Sequence, residues 1–236
     1  MTLAKTMEKR CIAYGDCNTE GLKGSTIPLW PELVAAQLEM ALTNCGHTMS
    51  TTREMSEYAR SHPAAGTALG MIQYGLVDSW LTFRGAPYVL YYPDRPLRKV
   101  ARRVVKKLKK MARTLKLQQR IGAVEQVPVE EYIQRIRAVV RSAPDTLFAL
   151  VATAPNLDEP RNPRIQRYNS ALAALAADEP NAFYVDTYDS LWGSRAESLM
   201  EDGTHLTAAG HRLVADAVVR EYLAVTAGID KEAAPE

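Results

Sequence analysis

Two groups of residues in this 236-residue sequence have the types and spacing to do covalent chemistry. Near the start, Gly15-Asp16-Cys17-Asn18-Thr19-Glu20-Gly21 puts a thiol in a glycine-bounded turn. Near the end, Asp202-Gly203-Thr204-His205 puts a carboxylate and an imidazole three residues apart in a polar loop. A thiol becomes a nucleophile when a base takes its proton, and the base works best when a third group orients it. Cys17, His205 and Asp202 are therefore a candidate nucleophile, general base and orienting carboxylate. Each also has a plain alternative when taken singly. Cys17 reads equally as a buried thiol, His205 as a surface histidine near a helix start, and Asp202 as a turn residue.

Chemistry of that kind needs elements that bring the two ends of the chain together. Five short apolar runs read as strands: Cys11–Tyr14, Met40–Asn44, Gly70–Tyr74, Leu147–Ala152 and Ala182–Val185. Helix-length segments separate them, which predicts an α/β fold with a parallel sheet and helices on both faces. A crossover helix is expected from Pro31 to Leu38, since proline suits a first helical position. Another begins near Val129, with Tyr132, Ile133, Ile136, Val139 and Val140 at helical spacing. Further helices fit Arg164–Ala177 and Thr207–Leu223, the last burying Leu213, Val214, Ala217, Val218 and Tyr222. The tail Gly228–Glu236 reads as frayed. In such a sheet ligands bind at the carboxyl ends of the strands, which is where the turn carrying Cys17 falls.

With those residues in place, Gly15–Gly21 resembles the Gly-Asp-Ser-x-Thr-x-Gly block of SGNH/GDSL hydrolases, with Cys17 at the serine. Asp202-Gly203-Thr204-His205-Leu206 resembles that family's closing Asp-x-x-His block, and Trp30-Pro31-Glu32-Leu33 falls where many members have such a segment. The resemblance implies a flavodoxin-like three-layer sandwich with a five-stranded parallel sheet. It also implies that Cys17 attacks an acyl carbon, His205 shuttles the proton and Asp202 holds the imidazole. A thiolate paired with imidazolium is a competent nucleophile, and its thioester is intercepted by amines or thiols more readily than an oxyester. Transfer to an acceptor is therefore as natural as hydrolysis.

Two further blocks depart from the family pattern. Asn44-Cys45-Gly46-His47-Thr48-Met49-Ser50-Thr51 resembles Asn-x-Gly-x-x-Gly-x-Thr but has Met49 at the second glycine, where a backbone N–H is still on offer. Gly75-Leu76-Val77-Asp78 resembles Gly-x-Asn-Asp, with Val77 replacing the asparagine whose amide would complete the oxyanion hole. Losing one such donor costs about 2.7–4 kcal/mol of transition-state stabilisation. His47, Asn18 or the Ser79 hydroxyl are the candidate replacements, and Asp78 completes the set of expected substrate-binding residues.

The formal charge of +2 conceals a strong asymmetry. Arg98–Arg120 holds 11 of the 29 Lys and Arg and no acid, which leaves 18 against the 27 acids of the remainder. Residues 81–126 read as an insertion, part loop and part basic helix, within a single domain spanning 1–236. Val100, Val104, Leu108, Met111 and Leu115 recur at helical spacing on one face of that helix. Its expected partners are an anionic membrane surface or an acidic carrier protein, and a phosphate-bearing substrate also fits. Nucleic acid is disfavoured, because no aromatics interleave with the charges. The plain alternative is a solvated helix packed on its own acidic body through the apolar stripe. Just upstream, Trp80, Tyr88, Tyr91 and Tyr92 suit either an acyl pocket or core packing.

The start of the sequence lacks a secretory pattern. Three cysteines, an odd number, suit a reducing compartment. The expected location is the cytoplasm, with peripheral membrane attachment allowed. No phosphate-cradling glycine loop or metal-ligand spacing occurs, so no cofactor or metal is implied. Two functions fit: an acyl-transfer enzyme acting on an ester or thioester donor, or a binding protein on a degraded hydrolase fold with the basic helix as its working surface.

Overall fold

The computed structural model describes residues 9–115 and 122–232. The end of the basic segment, residues 116–121, and the last four residues of the tail lie outside the described residues, as does the start of the chain at 1–8.

In chain order the elements are β1 (Arg10–Gly15), α1 (Cys17–Glu20), α2 (Trp30–Gln37), β2 (Ala41–Gly46), α3 (Thr52–Ser61), β3 (Leu69–Gln73), β4 (Leu81–Phe83) and α4 (Pro96–Thr114). They continue with β5 (Ala123–Glu125), α5 (Val129–Arg141), β6 (Leu147–Val151), α6 (Asn162–Asp178), β7 (Ala182–Val185), α7 (Tyr188–Gly193), α8 (Arg195–Ser198) and α9 (Ala208–Glu232). Five strands form one parallel sheet in the order β2-β1-β3-β6-β7, the flavodoxin-like order.

Alternation along each strand builds the core on both faces. On β1, Cys11 and Ala13 face the helices α2 and α9, packing with Trp30, Val34, Val214 and Val218. Ile12 and Tyr14 face the opposite layer, with Met55 and Tyr58 of α3, Tyr132 and Ile136 of α5, and Tyr168 and Leu172 of α6. Each of these large side chains, fully buried, contributes roughly 1.5–3 kcal/mol of transfer free energy. The tail departs from the frayed reading, because α9 stays helical to Glu232. Val225 still packs on the core there, which extends the helix beyond its buried stripe.

Residues 81–126 contain a loop and the basic helix α4, with a short strand at each end that the sequence did not suggest. Their two ends pair as a short antiparallel ribbon of β4 and β5, so the segment leaves and rejoins the body at one place. Three-residue strands are too short for alternation to register. Buried Glu54 of α3 ties the segment down: its carboxylate accepts from Tyr88 OH at 2.8 Å and Tyr91 N at 2.7 Å. Helix α4 turns Arg102 inward, where its guanidinium donates to the carbonyls of Leu90 and Tyr91. The apolar stripe therefore faces away from the body: Leu97, Val100, Val104, Leu108, Met111 and Leu115 are all exposed. Packing through that stripe, the plain alternative drawn from the sequence, is overturned.

Candidate active site

Gly15 closes β1 opposite Gly46 of β2 and Gln73 of β3, so the turns that follow these three strands leave the sheet at one end. Those turns carry Cys17, Met49 and Val77. Gly15 is needed for closeness rather than for an unusual φ, because a Cβ there would lie 1.9 Å from Thr19 Oγ1. A Cβ on Gly46 would lie 2.4 Å from Glu20 N, so its absence lets α1 settle against β2.

Cys17 opens α1 and is buried, with Asp16 as the N-cap: Asp16 Oδ1 accepts from Asn18 N at 3.1 Å. Burial pushes the Cys17 thiol well up, and the neighbouring Asp16 charge pushes it further. Burial likewise raises Asp16 to about 6, against the opposing pull of the Asn18 N–H and of His205. No hydrogen bond joins Cys17 Sγ to the His205 ring among the described residues. A resting thiolate–imidazolium pair is thus disfavoured here, since the thiolate would be both desolvated and next to a carboxylate.

The other half of the site is tightly ordered. His205 Nδ1 meets Asp202 Oδ2 at 2.5 Å, while Asp202 Oδ1 accepts the backbone N–H groups of Thr204 and His205 at 2.9 and 3.0 Å. Partial burial pushes the Asp202 carboxyl up, but hydrogen bonds from the His205 backbone, the His205 ring and Thr204 outweigh it and hold the group below its usual value. Cys17 and His205 line one small cavity, together with Asn18, Leu206 and His211.

His211 was not singled out in the sequence. It sits in the first turn of α9, buried, and its Nδ1 accepts from Trp30 N at 3.2 Å. Burial, aided by a charge on His205, lowers it to about 4, so the ring is neutral near pH 7 with its proton on Nε2. The one available signal was a second histidine six residues after His205.

The expected oxyanion and substrate residues separate in space. Met49 and Val77 line a second, larger cavity of about 630 Å³. Met49 adopts φ +66°, the left-handed conformation that favours the glycine of the family pattern. Its N–H has no acceptor among the described residues. Asn18 uses its amide to brace the histidine loop, with Nδ2 donating to Thr204 O and Oδ1 accepting from Leu206 N. Asp78 is fully buried and caps α3, accepting from Thr52 N at 2.9 Å and Thr52 Oγ1 at 2.7 Å. Ser79 Oγ donates to Leu76 O, and His47 Nδ1 lies 2.9 Å from Thr48 O beside the rings of Tyr58 and Tyr92. Asp78, Ser79 and His47 line neither cavity.

Trp80, Tyr88 and Tyr91 do line the larger cavity, alongside Phe83 and the cations Arg102, Lys106, Lys109, Arg161 and Arg164. Tyr92 instead stacks on Tyr58 with ring centroids 3.6 Å apart. Cys11, Cys17 and Cys45 are free thiols in three separate clusters. Among the described residues no three His, Cys, Asp or Glu side chains gather as metal ligands.

The fold resembles that of a lipase/acylhydrolase from Enterococcus faecalis at 17% identity, with a TM-score of 0.62, covering 90% of this chain and 94% of that one. It also resembles an acetylxylan esterase from Geobacillus stearothermophilus at 18% identity, with a TM-score of 0.61, covering 91% and 94%. No curated protein sequence matches the chain. The model of the GDSL-like lipase/acylhydrolase family matches residues 13–213, from β1 through the histidine loop into α9, and the chain belongs to that family.

Proposed function

We propose that the chain is an acyl-transfer enzyme that works through a covalent thioester on Cys17, with His205 as general base and Asp202 as the group that orients it. The observation that carries this reading is the 2.5 Å contact of His205 Nδ1 with Asp202 Oδ2 beside a cavity that His205 shares with Cys17. The ring's Nε2 is then the nitrogen left to take a proton.

Because the thiol is held neutral, proton removal accompanies attack. Cys17 Sγ adds to the acyl carbon as its proton passes to His205, and the former carbonyl oxygen takes the electron pair. Collapse breaks the bond to the leaving oxygen or sulfur, which takes the proton from His205. A water or acceptor hydroxyl, deprotonated by the same ring, then attacks the thioester and restores the Cys17 thiol. The Met49 N–H is the donor best suited to the oxyanion, since it has no other acceptor and lies on a turn flanking Cys17. Its left-handed backbone supports that role.

The aromatic and cationic lining of the larger cavity supports a donor with a bulky, anion-bearing part. An ester as the donor is supported by the likeness of the fold to an acetylxylan esterase. Intact-protein mass after incubation with acyl esters and thioesters tests the reading against Cys17→Ala. A Cys17-dependent acyl adduct is expected. No adduct across the panel leaves the binding-protein reading in its place.

A further inference from the structure

We infer that α4 is a docking helix for an anionic lipid surface. The helix spans 19 residues, about 28 Å at 1.5 Å per residue. Its outward stripe is unusually open, with Leu97 at 85% exposure, Val104 at 63% and Val100 at 57%. A soluble body seldom leaves an apolar row of this length in water, and such a patch marks an interaction surface.

The neighbouring charges select the partner. Arg103, Lys107 and Lys110 run along one edge of the stripe at helical spacing, all exposed and without an ion pair among the described residues. No acid lies between Pro96 and Thr114. The acids flanking the helix in sequence are already paired, Asp94 with Lys99 and Arg102 and Glu125 with Arg167. An apolar row with a one-signed cationic flank matches a bilayer interface, which offers acyl chains to the row and phosphates to the flank. Long Lys and Arg stems reach the headgroups while the row sinks below them. Among the described residues no helix is long and apolar enough to cross a bilayer, so the attachment is in the plane of the surface.

The same helix faces the larger cavity with Arg102, Val105, Lys106, Lys109 and Ala112. Docking would therefore hold that cavity next to lipid. The docking itself does not depend on the acyl chemistry proposed above, and binding is read without an activity assay.

The test is co-sedimentation of the full chain with phosphatidylcholine vesicles, with and without phosphatidylglycerol. Binding is expected only with phosphatidylglycerol. It should weaken at least tenfold as salt rises from about 0.1 M to about 1 M, where the screening length falls from about 10 Å to about 3 Å. Arg103→Glu with Lys107→Glu should weaken binding more than tenfold, since each nearby cation contributes roughly fivefold. Val104→Ser with Leu108→Ser keeps the charge and should also weaken it severalfold, with circular dichroism and melting unchanged. Failure of the parent chain to bind, equal binding to phosphatidylcholine alone, or full binding by the serine variant overturns the proposal. The first of these outcomes would favour an acidic protein as the partner.

Discussion

Asn18 grips the backbone on both sides of His205: its Nδ2 donates to Thr204 O at 3.1 Å and its Oδ1 accepts from Leu206 N at 3.0 Å. The residue after Cys17 thus sets the position of His205, although 187 positions separate Asn18 from His205 in the chain. Two hydrogen bonds across that distance tie the histidine loop to the turn that carries Cys17.

Asn18→Ala removes both bonds and leaves the Leu206 N–H without its acceptor. At about 1–3 kcal/mol for an unsatisfied buried group, kcat should fall roughly fivefold to 150-fold with a smaller change in KM. Steady-state kinetics on an ester that the parent chain turns over, with circular dichroism as the fold control, decides this. Unchanged kcat would remove Asn18 from the positioning of His205.

Burial and Asp16 hold the Cys17 thiol high, so iodoacetamide should alkylate it at pH 7 at least about tenfold more slowly than a free cysteine, given tenfold per pKa unit. The rate should go on rising through pH 9. Peptide-level mass spectrometry separates Cys17 from Cys11 and Cys45, both pushed up to about 11 by burial. A plateau near neutral pH would reveal a resting thiolate and contradict proton transfer coupled to attack.

Asp78 is buried with Oδ2 unpartnered, and burial raises it from 3.8 to about 7. The native chain therefore binds this proton more tightly than the unfolded chain, so stability from the group is fully present below pH 3.8 and is lost as pH rises through about 7. Asp78→Asn keeps an acceptor for Thr52 without the charge. Its melting temperature should match the parent below pH 3.8 and exceed it increasingly up to pH 8, where the charged carboxylate costs on the order of a few kcal/mol. A variant less stable than the parent at pH 8 would show that Thr52 requires the ionised form.

Glu54 holds segment 81–126 to the body by accepting from Tyr88 and Tyr91, besides Thr51 of its own helix cap. Glu54→Ala orphans several donors at about 1–3 kcal/mol each, whereas Tyr88→Phe removes one donor and costs about 1 kcal/mol. Urea unfolding should rank the two in that order, and limited proteolysis should cut residues 81–126 faster in the alanine variant. Equal effects would mean that the ribbon of β4 and β5 alone anchors the segment.

Much of this molecule is written in local patterns. The five strands of the sheet were each visible as an apolar run, because a strand buried on both faces needs continuous apolar residues whatever its neighbours. Observed bounds differ from the readings by a residue or two, as β2 does at Ala41–Gly46 against Met40–Asn44. Helix α3 was missed although Thr51 and Glu54 spell a capping box, which the structure forms. The Cys17 turn and the Asp202–His205 loop stood out because each is a short local run, a thiol in a glycine-bounded turn and a carboxylate three residues before an imidazole.

What tertiary structure alone decided concerns direction and environment. The spacing of Val100, Val104, Leu108, Met111 and Leu115 says that they share a face, and only the docking of Arg102 and the clamp at Glu54 turned that face outward. Asp78 and Ser79 followed Val77 into a substrate-binding reading, yet both turn into the interior, since a residue's number does not state where its side chain points. The neutral thiol of Cys17, the Nε2 proton of His211 and the grip of Asn18 depend on burial and on partners far along the chain. Such long-range terms have no local signature, because desolvation and charge proximity exist only once the sheet has brought distant turns to one end.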